Sequence, residues 1–217
     1  MSRKKKFKRV LLCALLISLP LLSVNKHNDD RLLALDNTDK MCIDLDTTYN
    51  IPNIDELNQL ILPDILKDSV KNELINEATK YIAKNTNKVH KDLPKLIVEY
   101  GLANNIDIIF MMAQTQLETI FGTLGAGRET SRKSLFGVAS KRYNNYDDAI
   151  EDYCRILKKY YLTKNRNEQY LLRNYVTRSG SRYAENPNYE KELYLAYKSI
   201  KRNTNIKDLQ EKYNSID

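Results

Sequence analysis

Residues 111–138, "MMAQTQLETIFGTLGAGRETSRKSLFGV", open on an apolar, helix-patterned run that carries one carboxylate, Glu118, near its end. At helical spacing Phe110, Ala113, Leu117 and Phe121 share one face, and Met111, Gln114 and Glu118 share the neighbouring one. Glu118 is therefore expected on the flank of a buried stripe, at the C-terminal end of its helix. Apolar surroundings penalise the anion and the negative end of the helix repels it, so both raise a carboxyl pKa. A carboxylic acid that keeps its proton near neutral pH is a general acid. Glycosidic cleavage needs one, because the leaving oxygen must receive a proton. Gly122 ends the pattern beside Glu118 and leaves room for a substrate, and a second apolar knot, Leu135-Phe136-Gly137-Val138, follows the loop. The competing reading of Glu118 is a solvated residue at a helix end.

Other chemistries find less material. His27 and His90 are isolated, and no His/Cys/carboxylate group has metal-ligand spacing, so neither a metal nor a cofactor is expected. Cys13 lies in an apolar N-terminal run. Cys42 and Cys154 could pair in an oxidising compartment, while Cys154 equally suits the apolar side of a helix as a small core residue. The net charge of +7 includes six basic residues between Arg3 and Arg9, and no acid lies in residues 1–25; removing these six leaves +1. The basicity is thus local and gives no argument for nucleic-acid binding. "SRKKKFKR" followed by "VLLCALLISLPLLSV" has the order of an export signal, and the apolar run is short for a membrane span, which needs about 20 residues. No clean small-x-small cleavage site follows, so a cleaved signal and a retained anchor both remain open.

The elements that must position Glu118 are expected to be mainly α-helical, and no strand signal is convincing. Residues 26–52 read as a linker. "NIDELNQLIL" reads as a short helix stopped by Pro63, and the next helix carries Val70, Leu74, Ala78 and Ile82 on one face. "DLPKLIVEYGLANN" starts at Leu93-Pro94 and leaves at Asn104-Asn105. "YDDAIEDYCRILKKYYL" is amphipathic through Ile150, Tyr153, Cys154, Leu157 and Tyr161, with Asp148 and Glu151 in the form of a capping box. A short helix near "EQYLLRNYV" precedes a last one, for which Asn186-Pro187 supplies cap and first turn and Tyr189, Leu193, Ala196 and Ile200 the inward stripe.

Four segments in order, "FMMAQTQLETIFGT", "SLFGV", "KRYNNYDDAIEDYCRIL" and "SGSRYAENPNY", resemble the motifs of the bacterial glucosaminidase family of peptidoglycan hydrolases (glycoside hydrolase family 73, lysozyme-like). The matching positions are Ala113-Gln114, Leu117-Glu118 and Phe121-Gly122; Ser134 to Val138; Arg142-Tyr143 to Tyr146; and Tyr183 to Tyr189. The resemblance implies a lysozyme-like helical domain with a substrate groove over residues 91–203. Before it come N-terminal helices at 53–90, the linker at 26–52 and the signal or anchor at 1–25, and a tail follows at 204–217. It implies Glu118 as general acid and Tyr183 as an active-site tyrosine near the cleaved bond. Gln114, Phe121, Ser134, Phe136 and Tyr189 fall on motif positions that border substrate, although Phe136 and Tyr189 are also readable as core. Tyr143 and Tyr146 offer rings that stack on pyranose faces; with fifteen tyrosines and no tryptophan, any stacking platform rests on Tyr and Phe.

The chain departs from the family at Phe121 and Ser134, where tryptophan and asparagine are usual, and at Glu185-Asn186. Many members also carry a β-hairpin with a second carboxylate, and here only Ala139-Ser140-Lys141 separates Val138 from Arg142. Standard mechanisms place that carboxylate about 5–5.5 Å or about 6.5–9.5 Å from the acid. Glu129 is the nearest candidate, while Asp147 and Asp148 read as helix caps. Participation of the substrate's 2-acetamido group would remove the need, as would lytic transglycosylase chemistry. The expected partner is the peptidoglycan glycan strand, reached by export to the periplasm, cell envelope or medium, with membrane contact through the N-terminal segment alone. A muramidase, a phage lysin, an inactive wall-binding protein and a membrane-tethered helical adaptor are the alternatives.

Overall fold

A computed structural model of the chain describes residues 54–87, 89–138 and 141–216, with backbone alone for residues 54–60. The signal or anchor, the linker and Cys42 lie outside the described residues. The protein is mainly helical: α1 (Ile54–Asn85), α2 (Leu93–Asn104), α3 (Ile108–Thr119), α4 (Tyr146–Ile156), α5 (Glu168–Leu171), α6 (Tyr189–Asn203) and α7 (Ile206–Asn214). Among the described residues there is no extended strand, only the isolated bridges Thr163–Arg166 and Val176–Arg182. No described helix is long and apolar enough to cross a membrane.

The helix that carries Glu118 is the centre of the packing. Ile108 through Thr115 are all buried in α3, so it is wrapped on every side over that stretch rather than along a single stripe. α6 packs along it, α2 covers another side, and α7 meets its N-terminal end. Asp107 caps α3, accepting from the N–H groups of Ile109 (2.9 Å) and Phe110 (3.2 Å). Its other oxygen accepts from the Tyr197 hydroxyl of α6 at 2.7 Å, which ties the cap to the neighbouring helix.

Several local expectations are corrected. Pro63 does not stop a helix: α1 runs through it for 32 residues. An interior proline leaves one carbonyl without its N–H partner. Ile61, Leu62, Ile65 and Leu66 around it are exposed, so water can take that carbonyl. Beyond it, Val70, Leu74, Ala78 and Ile82 are buried as the periodicity predicts, and α1 packs against α2 and α7. Residues 53–90 are therefore no separate helical unit, and Pro52–Asp217 form one compact body.

The tail at 204–217 is likewise no tail. It contains α7, whose buried Gln210 accepts from Ile108 N–H (3.0 Å) and donates to the Ile106 carbonyl (2.8 Å). The cap of α4 is Asn145, which accepts from Asp148 N–H at 2.7 Å, and Asp147 and Asp148 lie in the first turn. Asn186 makes a turn ahead of α6 by accepting from Asn188 N–H (2.9 Å), and α6 itself starts at Tyr189 without a side-chain cap. In the α6 stripe Tyr197 is buried while Ala196 is only partly so.

Removing the α3 cap gives the first test. Asp107→Ala should cost about 1–2 kcal/mol from the cap alone and lower the melting temperature by several degrees, measured by circular dichroism at 222 nm. Asp107→Asn, which keeps a capping oxygen, should recover most of the loss.

Candidate active site

Helix α3 closes with three successive left-handed residues, Ile120 (φ 46°), Phe121 (φ 55°) and Gly122 (φ 79°). Only the last is a glycine, and a β-branched residue such as Ile120 is strained there, since the left-handed region costs L-residues roughly 1–2 kcal/mol. Thr119 secures this reversal. Its hydroxyl accepts from Gly122 N–H (3.0 Å) and lies 3.1 Å from both the Thr115 and Leu135 carbonyls. The helix end is thereby joined to the Leu135-Phe136-Gly137 segment. Farther out, buried Tyr146 donates to the Gly127 carbonyl at 2.9 Å and fixes the intervening loop.

Glu118 lies partly buried at this junction. The Tyr189 hydroxyl donates to its Oε1 at 2.6 Å. Gly137 backs the other side: a β-carbon there would overlap the carboxyl group, with the carboxyl carbon 2.6 Å away, and its φ of +67° also favours glycine. The Tyr183 hydroxyl donates to the Phe136 carbonyl. Its ring stacks on Tyr175 with centroids 4.3 Å apart and an interplanar angle of 7°, and leans on Tyr189 at 5.2 Å. Tyr161, carried by a π-helical turn at Leu157–Tyr161, meets Tyr175 and Tyr183 edge-on. The segment bearing Tyr175 and Tyr183 is pinned to α6 by Glu190, which accepts from Tyr175 N–H (3.3 Å) and pairs with Arg182 (2.7 Å).

Burial raises the Glu118 pKa, and the hydroxyls of Tyr189 and Tyr183 partly oppose it by stabilising the anion. Burial also pushes the phenols of Tyr175, Tyr183 and Tyr189 upward, so they stay neutral hydrogen-bond donors. The arrangement is a partly desolvated carboxyl group that can hold a proton, with a phenolic donor ready for its conjugate base. Among the described residues no cluster of His, Cys, Asp and Glu could hold a metal ion.

The sequence-derived residues separate into two groups. Glu118, Tyr183 and Tyr189 come together, and Phe136 joins them through its carbonyl while its ring stacks on Tyr153 at 3.7 Å. Gln114 is fully buried beneath the tyrosines, accepting from the hydroxyls of Tyr153 (2.7 Å) and Tyr175 (3.0 Å). Phe121 packs edge-on against Tyr81 in the core, and buried Ser134 donates to the Val138 carbonyl at 3.0 Å. These three, with Tyr146, build the scaffold and expose no face to a ligand. Tyr143 is elsewhere: its hydroxyl donates to Asp152 at 2.8 Å, beside Lys141 and Arg155. Burial pushes the Asp152 carboxyl up, but hydrogen bonds from Lys141, Arg155 and Tyr143 overcome it and bring it down to about 2. An open groove of about 1020 Å³ between Tyr100, Tyr143 and Lys158 takes in these groups and does not include Glu118.

Glu129 is exposed, 3.9 Å from His90 Nε2, and is not among the groups that shift Glu118. Cys154 is free and buried, its thiol pushed up to about 12 by burial. Thr119, Tyr161 and Tyr175 were not legible as site residues. Tyr161 requires the π-turn to point where it does, and Tyr175 sits in a segment without periodicity.

No protein-family model matches this chain, and no match was found among curated proteins or solved structures.

Two tests arise from the junction. Because the folded-state pKa of Glu118 is raised, the contribution of Glu118 to stability is fully present below the unfolded value of about 4.3 and is lost as pH rises through the folded value. The melting temperature of Glu118→Gln minus that of wild type should therefore widen with pH across that window and stay flat below it. Gly137→Ala should destabilise by more than about 1 kcal/mol, from positive φ and from overlap with Glu118, read as a lower urea midpoint at unchanged slope.

Proposed function

We propose that this chain is a glycoside hydrolase acting on the β-1,4 bonds of peptidoglycan glycan strands, in a lysozyme-like helical domain of glucosaminidase type. The observation that carries this reading is the Glu118 carboxyl group, partly buried, raised in pKa and hydrogen-bonded by Tyr189, at a helix end beside the Phe136-Gly137 segment. The resemblance of four ordered motifs to the glucosaminidase family supplies the substrate class. In the reaction Glu118 gives its proton to the glycosidic oxygen as the bond from C1 to that oxygen breaks. The carboxylate left behind accepts the Tyr189 hydroxyl, and later takes a proton from the water that attacks C1.

Among the described residues no carboxylate is one of the groups that shift Glu118, and a mechanism with one protein acid is in keeping with that. The carbonyl oxygen of the substrate's 2-acetamido group would then bond to C1 as the leaving oxygen departs, and water would open the resulting ring. The same observation favours, as a second reading, a lytic transglycosylase in which the sugar's own hydroxyl replaces water. Residues 1–25 would direct the chain out of the cytoplasm or hold it at the membrane.

Mass spectrometry of purified peptidoglycan digested by the full chain tests both readings. New N-acetylglucosamine reducing ends support the glucosaminidase, and anhydro ends the transglycosylase; muramic-acid reducing ends would make it a muramidase. Glu118→Gln should lower release by about 10²–10⁴-fold while the protein stays folded. Binding to walls with no new ends from wild type would reduce the protein to a wall-binding module.

A further inference from the structure

The groove between Tyr100, Tyr143 and Lys158 does not include Glu118, and its charges are ordered. One face of α4 and of the π-helical turn that continues it lines the groove. Asp148, Glu151 and Asp152 come first on that face, and Arg155, Lys158 and Lys159 follow, at the spacing of successive helical turns. Asp152, in the middle, is satisfied: it accepts from Tyr143 (2.8 Å) and pairs with Lys141 (2.7 Å) and Arg155. The two ends are not. Among the described residues, Asp148 and Glu151 have no cation within ion-pair distance, and Arg142, Lys158 and Lys159 have no carboxylate. The Lys158 ammonium lies 3.5 Å from the Asn104 side-chain oxygen, and that of Lys159 lies 4.9 Å from the centre of the Tyr160 ring. An acidic start and a basic end also complement the helix's own dipole. Here, however, the unmatched charges border a concavity shared with the rings of Tyr100 and Tyr143.

A purely anionic ligand would be repelled by Asp148 and Glu151, and a purely cationic one by the lysines. A neutral ligand would leave both ends unmatched. A ligand with opposite charges at its two ends matches both. From Asp148 to Lys159 the face runs about 16 Å, at about 1.5 Å of rise per residue. An extended chain advances about 3.3 Å per residue, so about five residues cover that length. We propose that the groove binds a short peptide with both termini free, its ammonium group against Asp148 and Glu151 and its carboxylate against Lys158 and Lys159. Tyr100 and Tyr143 border the stretch between the two charges, and Arg142 offers a further donor to the peptide. Binding involves no covalent step, and the inference does not rest on the reading of Glu118 as a general acid.

The test is nitrogen-15 NMR of the full chain titrated with penta-alanine in three forms: free, acetylated at the N-terminus, and amidated at the C-terminus. The free peptide should give saturable shifts of amide signals along α4 and at Tyr100 and Tyr143. Each capped form should bind about two- to five-fold more weakly, the range for one exposed ion pair. With Asp148→Asn and Glu151→Gln together, the acetylated and free peptides should bind alike while the amidated one stays weaker. With Lys158→Gln and Lys159→Gln together, the amidated and free peptides should bind alike while the acetylated one stays weaker. No saturable shift with free penta-alanine, or the same loss on each capping in wild type and both variants, would overturn the proposal. Tighter binding of the acetylated form to wild type would leave an anion site alone and reject the peptide. The variants leave Glu118 in place. Glycan cleavage without peptide binding would therefore refute the groove alone, and peptide binding with the expected pairing but no cleavage would refute the proposed function alone.

Discussion

The contact between the Glu118 carboxyl group and Gly137 is the constraint on which the rest of the site depends. The carboxyl group occupies the space that any side chain at residue 137 would need. That proximity forces the segment Leu135–Val138 to run across the end of α3, and it removes water from one side of the acid. The helix must then stop just after Glu118 and turn back sharply. Three left-handed residues in succession make that turn, and the Thr119 hydroxyl stitches it to Leu135.

Two opposing influences act on the acid in this position. Loss of water favours the protonated form, and phenolic donors favour the anion. Burial keeps the phenols of the tyrosines protonated, so they donate without adding charge. Tyr161, Tyr175 and Tyr183 pack ring to ring, which limits the movement of each hydroxyl to rotation about its own bond.

How much of this was legible depends on the kind of signal each feature leaves. The buried stripe of Val70, Leu74, Ala78 and Ile82 and the start of α2 at Leu93-Pro94 leave periodic or capping patterns, and both are as expected. Glu118 could be picked out because an acid at the end of an apolar run is conspicuous. Pro63 misled because its penalty depends on whether water can reach one carbonyl, which is a tertiary fact. Residues 204–217 misled because α7 docks through Gln210, a polar residue whose value lies in two backbone partners that are remote in sequence. Gln114, Phe121, Ser134 and Tyr146 occupy motif positions, yet pattern alone does not distinguish a residue that touches a ligand from one that holds the wall behind it.

The strain at Ile120 and Phe121 bears on whether the junction is more than packing. A helix can end with one left-handed glycine at little cost, and Gly122 stands two residues away. Ending the helix at Ile120 instead places two residues with β-carbons in a disfavoured region, each at roughly 1–2 kcal/mol. Phe121 offsets part of this by burying its ring against Tyr81, and Thr119 offsets part through its hydrogen bonds. Ile120 remains substantially exposed and gains little packing in return. Strain that persists where an easier ending was within reach is characteristic of functional sites. Here it keeps the last turn of α3 short enough for Glu118 to meet Tyr189 and Gly137 at once.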